Sequence, residues 1–254
     1  MKLHVLAIAP HPDDAELTCG GTLLKMAEAG YRTGVLDLTR GEMGTRGTPV
    51  ERQREAAAAA RILKLSYRGN LGVPDTAVTP AREHALALAR VIRELQPRTV
   101  ILPYPEGRHP DHYNGARLGY EGCFLAGFRK LDIPGEPFRP FKILHATAYD
   151  RSVRPTFVVD ITRQFHRRTR AILCYKSQFP QSARAAKRPA AITQSPKQKI
   201  TKSAVYLPLD QLESEMALIA RWYGQMIGVQ YAEPFVVKEV MQVDDIVKLP
   251  VRSV

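Results

Sequence analysis

Apolar and polar positions alternate from Lys2 to Ala9, and the stretch is rich in β-formers, which predicts a buried first strand. From Asp14 the period changes. Leu17, Leu23, Leu24 and Met26 recur at helical spacing and Gly30 is placed to cap the end, so a helix is expected over Asp14–Gly30. Thr33–Thr39 reads as a second strand, Gly41–Pro49 as a loop rich in Gly and Thr, and Glu51–Leu65, with its alanine run, as a strong helix. Ser66–Leu71 fits a short strand, Ala81–Gln96 an amphipathic helix stopped by Pro97, and Thr99–Pro103 another strand. That strand leads into a loop over Tyr104–His112, and Tyr113–Arg129 is expected to be helical.

Strands and helices alternating at this spacing mean βαβ units. The expected fold class is therefore α/β: a three-layer, Rossmann-like domain whose mainly parallel sheet is covered by helices on both faces. A single domain is expected over residues 1–254, with a core to about residue 160. Beyond that core the pattern is less regular. Strands are expected at Ile143–Tyr149, Thr156–Ile161 and Phe235–Val240, and helices at Arg163–Ser177 and Leu209–Met226. Phe179–Lys202, rich in Pro, Ser, Ala and Lys, reads as a loop.

Composition narrows the function classes. A hydrophobic fraction of 44% supports a real core, and no apolar run approaches the roughly 20 residues of a membrane span. The apolar N-terminal stretch is short and runs directly into His and Asp, so it reads as a strand and not as a signal peptide. The three cysteines, Cys19, Cys123 and Cys174, are scattered. They form neither a disulfide framework nor a thiolate metal site, and they fit a reducing cytoplasm. The net charge of +12 is concentrated: residues 161–209 hold eleven Lys or Arg and no Asp or Glu. Such a block reads as a solvated helix face with a loop, or as a surface for an anionic ligand.

Two segments carry chemistry. His11-Pro12-Asp13-Asp14-Ala15-Glu16 follows the first strand, and Arg108-His109-Pro110-Asp111-His112 follows the strand at Thr99–Pro103. Ligands of α/β sheets collect at the carboxyl ends of strands, where both segments lie. Imidazole and carboxylate are the usual ligands of catalytic zinc when thiolates are absent, and three of them with one open position make a hydrolytic site. Adjacent carboxylates diverge, so one of Asp13 and Asp14 can bind the metal while the other faces the water. Asp111 stands between two imidazoles and can orient one of them. Either motif alone also reads as a turn with an Asx cap. Together, at two strand ends of one α/β pattern, they point to a metal.

The strings AIAPHPDDAELTCGGTL, LTRGEMGTRGTP, ERQREAAAAARIL, NLGVPD and HPDH resemble the LmbE-like (PIG-L) N-acetylglucosaminyl deacetylase family, most closely its bacillithiol-pathway branch. The resemblance covers the chain to about Asp160 and continues more loosely through YKSQF and YAEPF. It implies a zinc-dependent amidohydrolase, with Fe2+ as an alternative metal. It assigns His11, Asp14 and His112 to the metal and Asp13 to the general base. His109 would stabilise the tetrahedral intermediate, with Asp111 pairing with that ring and raising its pKa. Ala15, which extends the common HPDDE form to HPDDAE, is shared with the bacillithiol branch. The implied substrate is a small-molecule N-acetylglucosamine conjugate, most closely N-acetylglucosaminyl-malate with an inositol or oligosaccharide conjugate as the alternative, and the implied assembly is a homo-oligomer, in this branch a hexamer. Arg52, Arg108, Glu42 and Asn70 are candidate substrate residues, with Glu55 as a buttress for Arg52. Asp75 reads as a polar turn residue, and Tyr175, Lys176, Gln178 and Tyr231 as core, interface or rim.

Two other readings compete. A nucleotide-binding fold would use Gly20-Gly21 and the Gly41–Gly44 stretch, but no GxGxxG follows the first strand. A nucleic-acid-binding module would use the basic stretch, but aromatic interleaving and a recognisable motif are both lacking. The deacetylase reading carries no nucleic-acid and no membrane partner.

Overall fold

A computed structural model describes residues 1–148, 152–179 and 209–248. The loop expected over Phe179–Lys202 lies outside the described residues from position 180 onward, as does the last residue of the strand expected at Ile143–Tyr149. In chain order the elements are β1 (Val5–Ala9), α1 (Asp14–Glu28), β2 (Thr33–Asp37), α2 (Pro49–Ile62), β3 (Tyr67–Asn70), α3 (Arg82–Leu95), β4 (Thr99–Pro103) and α4 (Pro110–Ala126). Then come β5 (Lys142–Ala146), β6 (Phe157–Asp160), α5 (Phe165–Ile172), α6 (Leu209–Gln225) and β7 (Ala232–Val236).

The seven strands form one sheet in the order β3-β2-β1-β4-β5-β7-β6. From β3 to β5 every pairing is parallel, while β7 runs antiparallel to both β5 and β6. The α/β class and the mainly parallel sheet agree with the expectation. The order reverses between β1 and β4, so their carboxyl ends open a crevice at the switch point. Each of those two ends feeds one of the two chemical motifs.

Alternation along β1 supplies both faces. Leu6 and Ile8 join Leu36, Val100, Leu102 and the inward sides of α3 and α4 in one core. Ala7 and Ala9 face the other way, against Ala15, Cys19 and Leu23 of α1. Helix α1 packs close because it carries Gly20-Gly21: a Cβ at Gly21 would lie 2.8 Å from Ile161 Cδ1. These glycines sit in mid-helix, Gly20 against Arg168 and Leu63 and Gly21 against Ile161 and Glu233, and form no phosphate loop.

Several boundaries differ from the sequence reading. Helix α4 starts at Pro110, inside the motif assigned to a loop, because proline suits the first helical position and His109 caps the helix. The basic helix is short, Phe165–Ile172, and the last strand lies earlier, at Ala232–Val236. Arg168 of the basic stretch is buried and ion-paired to Glu233 at 3.0 Å, and Arg167 pairs with Glu28. Two of those cations therefore hold the fold together.

Candidate active site

A tight turn places the first motif. The His11 N–H donates to Asp14 Oδ2 at 3.0 Å, and the Asp14 N–H to the His11 carbonyl at 3.3 Å. Asp13 takes a left-handed backbone, φ 117°, as the residue before α1. Such a conformation costs a non-glycine residue on the order of 1–3 kcal/mol.

The second motif arrives as the first turn of α4. The His112 Nε2 stands 3.2 Å from Asp14 Oδ2, and His11 Nδ1 stands 3.1 Å from the same oxygen. One ligand atom each from His11, Asp14 and His112 falls within 4.8 Å of the others. Tetrahedral ligands at about 2.0–2.1 Å from zinc are spaced by roughly 3.3 Å, so this donor set fits such an ion. A second grouping, His11 with His109 and Asp111, meets the same distance limit. There Asp111 Oδ2 accepts the Thr76 N–H at 2.9 Å and lies 3.2 Å from His11 Nε2, while its Oδ1 is buried without a hydrogen-bond partner.

The electrostatics suit a cation. Burial alone would lower the His11 pKa, yet hydrogen bonds and charges from Asp14 and Asp75 push it up to about 11. Burial likewise opposes the ionised form of Asp14, but the His112 and His11 rings hold that carboxyl well below the usual range. Asp13 moves the other way. Burial pushes it well above the usual carboxylate range, with Arg52 opposing and Asp14 and Glu16 adding. The cluster thus gathers carboxylates around a positively charged imidazole, a charge pattern that a divalent cation satisfies.

His109 and Asp111 correct the sequence reading. Asp111 touches His11 and the Thr76 amide rather than holding the His109 ring by a hydrogen bond. His109 Nδ1 accepts the Asp111 N–H at 3.2 Å, as a helix cap, and a neutral ring accepting there carries its hydrogen on Nε2. Burial, then the His11 and His112 rings, hold the His109 pKa below its usual value, with Asp111 offsetting only part of this. Asp111 acts upward, as expected, but the net shift is downward.

The structure brings some further candidates in and leaves others out. Arg52 is buried; its guanidinium donates to the Pro12 carbonyl and reaches Asp13 Oδ2 at 3.2 Å. The turn at Gly41 makes room for it: φ is +67°, and a Cβ there would meet the guanidinium at 3.1 Å. Arg108 is exposed at the rim of the larger cavity beside the cluster. Glu42 is spent on loop amides, accepting from Asp75 N at 2.9 Å and Arg40 N at 3.1 Å. Asn70 is also a turn residue, bonded to the Thr39 carbonyl and the Gly72 amide, and it lines neither cavity. Glu55 accepts the Ser177 N–H at 2.7 Å instead of buttressing Arg52. Tyr175 is core, with its hydroxyl 3.1 Å from Glu16, and Tyr231 stacks on Phe165.

Two residues were undervalued in the sequence. Asp75 Oδ1 lies 3.1 Å from His11 Nε2, while its other oxygen accepts the Met43 N–H at 2.9 Å. Gln178 lines both cavities beside the cluster, anchored by a 2.9 Å bond to the Arg46 carbonyl. The signal for Asp75 was its place just past the end of a strand, the same address as the two motifs.

The chain was compared with known proteins. Residues 6–123 match the family model described as PIG-L, GlcNAc-PI de-N-acetylase. The diacetylchitobiose deacetylase of Thermococcus kodakarensis is 31% identical over 90% of this chain and 80% of its own. A Bacillus anthracis protein named probable N-acetyl-alpha-D-glucosaminyl L-malate deacetylase 2 is 30% identical over 73% of this chain and 85% of its own. Among solved structures, a conserved protein of Thermus thermophilus superposes with a TM-score of 0.80 at 39% identity, covering 95% of this chain and 98% of that one.

Proposed function

Since the chain belongs to the PIG-L, or LmbE-like, family of de-N-acetylases, we propose that it hydrolyses the acetamide of an N-acetylglucosamine conjugate at a divalent cation held by His11, Asp14 and His112. One observation carries this reading: two motifs almost a hundred residues apart converge on one carboxylate oxygen, 3.1 and 3.2 Å from the two imidazoles. Zinc bound there would supply Lewis-acid polarisation and a water acidic enough to attack near neutral pH. The two-imidazole, one-carboxylate donor set also suits Fe2+.

The protein's own groups supply the rest. Asp13, beside a ligand but turned from it and steadied by Arg52, accepts a proton from the attacking water. His109 offers its Nε2–H to the carbonyl oxygen as negative charge develops there, a large term in such reactions. Asp75 and Asp111 hold the His11 ring from its far side, as carboxylates commonly hold ligating imidazoles. The amine leaves with the proton and acetate is released.

For the conjugate we assign N-acetylglucosaminyl-malate, in bacillithiol biosynthesis. The support is the likeness to the protein named a probable malate deacetylase. A second reading, diacetylchitobiose, is favoured by the longer match to the Thermococcus enzyme. Free cysteines fit a reducing cytoplasm, no described helix is long and apolar enough to cross a membrane, and a homo-oligomer is the assembly we assign.

The test is acetate release from malate, inositol and chitobiose conjugates, with metal content assayed alongside. Asp13→Asn is expected to keep stoichiometric metal and lose at least about a hundredfold in rate. His112→Ala is expected to lose the metal itself. Full activity in Asp13→Asn would refute the assigned base, and metal-replete protein inert on every conjugate would refute the reading.

A further inference from the structure

The metal cluster forms the wall between two cavities. Asp14 and His112 line one of about 770 Å³, His11 lines one of about 220 Å³, and Asp13 and His109 line both. An amide at this wall has two substituents, and each must point into one of the two spaces.

The cavities differ in chemistry. The smaller presents Arg52, Asp75 and the Gly41 turn, groups that suit a ring bearing hydroxyls. The larger has polar groups at its mouth, Glu106 and Arg108. Its floor descends between α1 and the sheet, along Ala7, Ala9, Cys19, Ile101 and Ala146. These five floor residues are 1–6% exposed. A methyl group needs little more than the ~30 Å³ that one water takes in the liquid. The larger cavity has the size of a site for a whole small ligand. Thr147, in the same wall, is 1% exposed and its hydroxyl has no hydrogen-bond partner.

We infer that this larger cavity is an acyl pocket, and that the protein hydrolyses glucosamine conjugates whose N-acyl group is an aliphatic chain longer than acetyl. This inference rests on the proposed deacetylase reading. The step balances as an ordinary amide hydrolysis. The water oxygen joins the carbonyl carbon, the C–N bond breaks, both water protons end on the nitrogen, and the chain leaves as a carboxylate. The sugar ring lies in the polar cavity, and the chain lies along the apolar floor beside Leu17 and Phe179.

The experiment compares kcat/KM of the metal-loaded protein on N-acetyl-, N-butyryl- and N-hexanoyl-glucosamine, together with inhibition by acetohydroxamate and hexanohydroxamate. Each methylene buried on the floor adds up to about fourfold. The expected result is hexanoyl turnover at least equal to acetyl turnover, with hexanohydroxamate binding at least tenfold tighter. Ala146→Leu, which fills the floor, is expected to lower the hexanoyl-to-acetyl ratio at least tenfold. Cys19→Met, from the opposite wall, gives the same readout if the first variant does not fold. Acetyl turnover that survives while each longer chain loses tenfold or more would overturn this inference alone, and would give the cavity to the aglycone. An unchanged ratio in both floor variants would also overturn it. No hydrolysis of any conjugate would overturn the deacetylase reading and this one with it.

Discussion

His11 is the residue on which the site turns, because its two nitrogens do different work. Nδ1 faces Asp14 and the proposed metal position, and Nε2 faces Asp75 and Asp111 at 3.1 and 3.2 Å. Those two carboxylates fix which nitrogen is free to ligate. Asp75→Asn and Asp111→Asn are each expected to weaken metal affinity by about 10–100-fold while leaving the fold intact. Competition with a chelator measures this, and unchanged affinity in both would show that the carboxylates do not orient the ring. That His11, Asp14 and His112 would meet was legible in the sequence because each motif is contiguous and its spacing is chemical. Asp75 was not, because it reaches the site from the edge strand β3, and only the sheet order brings it there. The expected hydrogen bond from Asp111 to the His109 ring does not form, because the first turn of α4 turns that carboxylate toward His11.

At the scale of elements, helix starts decide which side chains reach the crevice. Helix α2 begins with a full capping box: Thr48 accepts from Glu51 N at 3.2 Å, and the Glu51 carboxylate accepts from Thr48 N at 2.8 Å, with Pro49 at the first position. One turn in, the same helix presents Arg52 to Asp13. Thr48→Ala is expected to cost about 1 kcal/mol of stability, read from denaturant midpoints at unchanged slope. A neutral result would mean the helix start is held by packing alone. The periodicity placed α1, α2, α3 and β4 to within a few residues. It missed the start of α4 because histidine is not a common cap, and it carried α5 past Ile172 because Tyr175, four residues on from buried Ala171, keeps the helical spacing of buried positions.

At the scale of the whole molecule, the parallel half of the sheet followed from alternating strands and helices, whereas the antiparallel insertion of β7 between β5 and β6 did not. That pairing joins segments some seventy residues apart, and no local pattern records it. It also bears on pH. His145 on β5 is buried and hydrogen-bonded to the Pro103 carbonyl at 2.9 Å. Burial, joined by the Lys238 charge, holds its pKa below the usual 6.5 despite that bond. The unfolded chain therefore takes up the proton first, so this contribution to stability is complete above pH 6.5 and is lost as pH falls below it. His145→Gln is expected to flatten the acid side of the stability–pH curve. A slope identical to that of the parent chain would exclude the assignment.

Glu233 and Arg168 lie far along the chain from the HPDD turn, yet both are lodged against the helix that leaves it. Glu233 accepts the amides of Gly21 and Thr22 at 2.8 and 2.7 Å, and Arg168 donates to the carbonyls of Glu16 and Leu17. Evolutionary grafting of the two histidine motifs into another scaffold would thus carry over the ligands without their keystones. Any substitution at Arg168 or Glu233 therefore acts on a helix more than a hundred residues upstream.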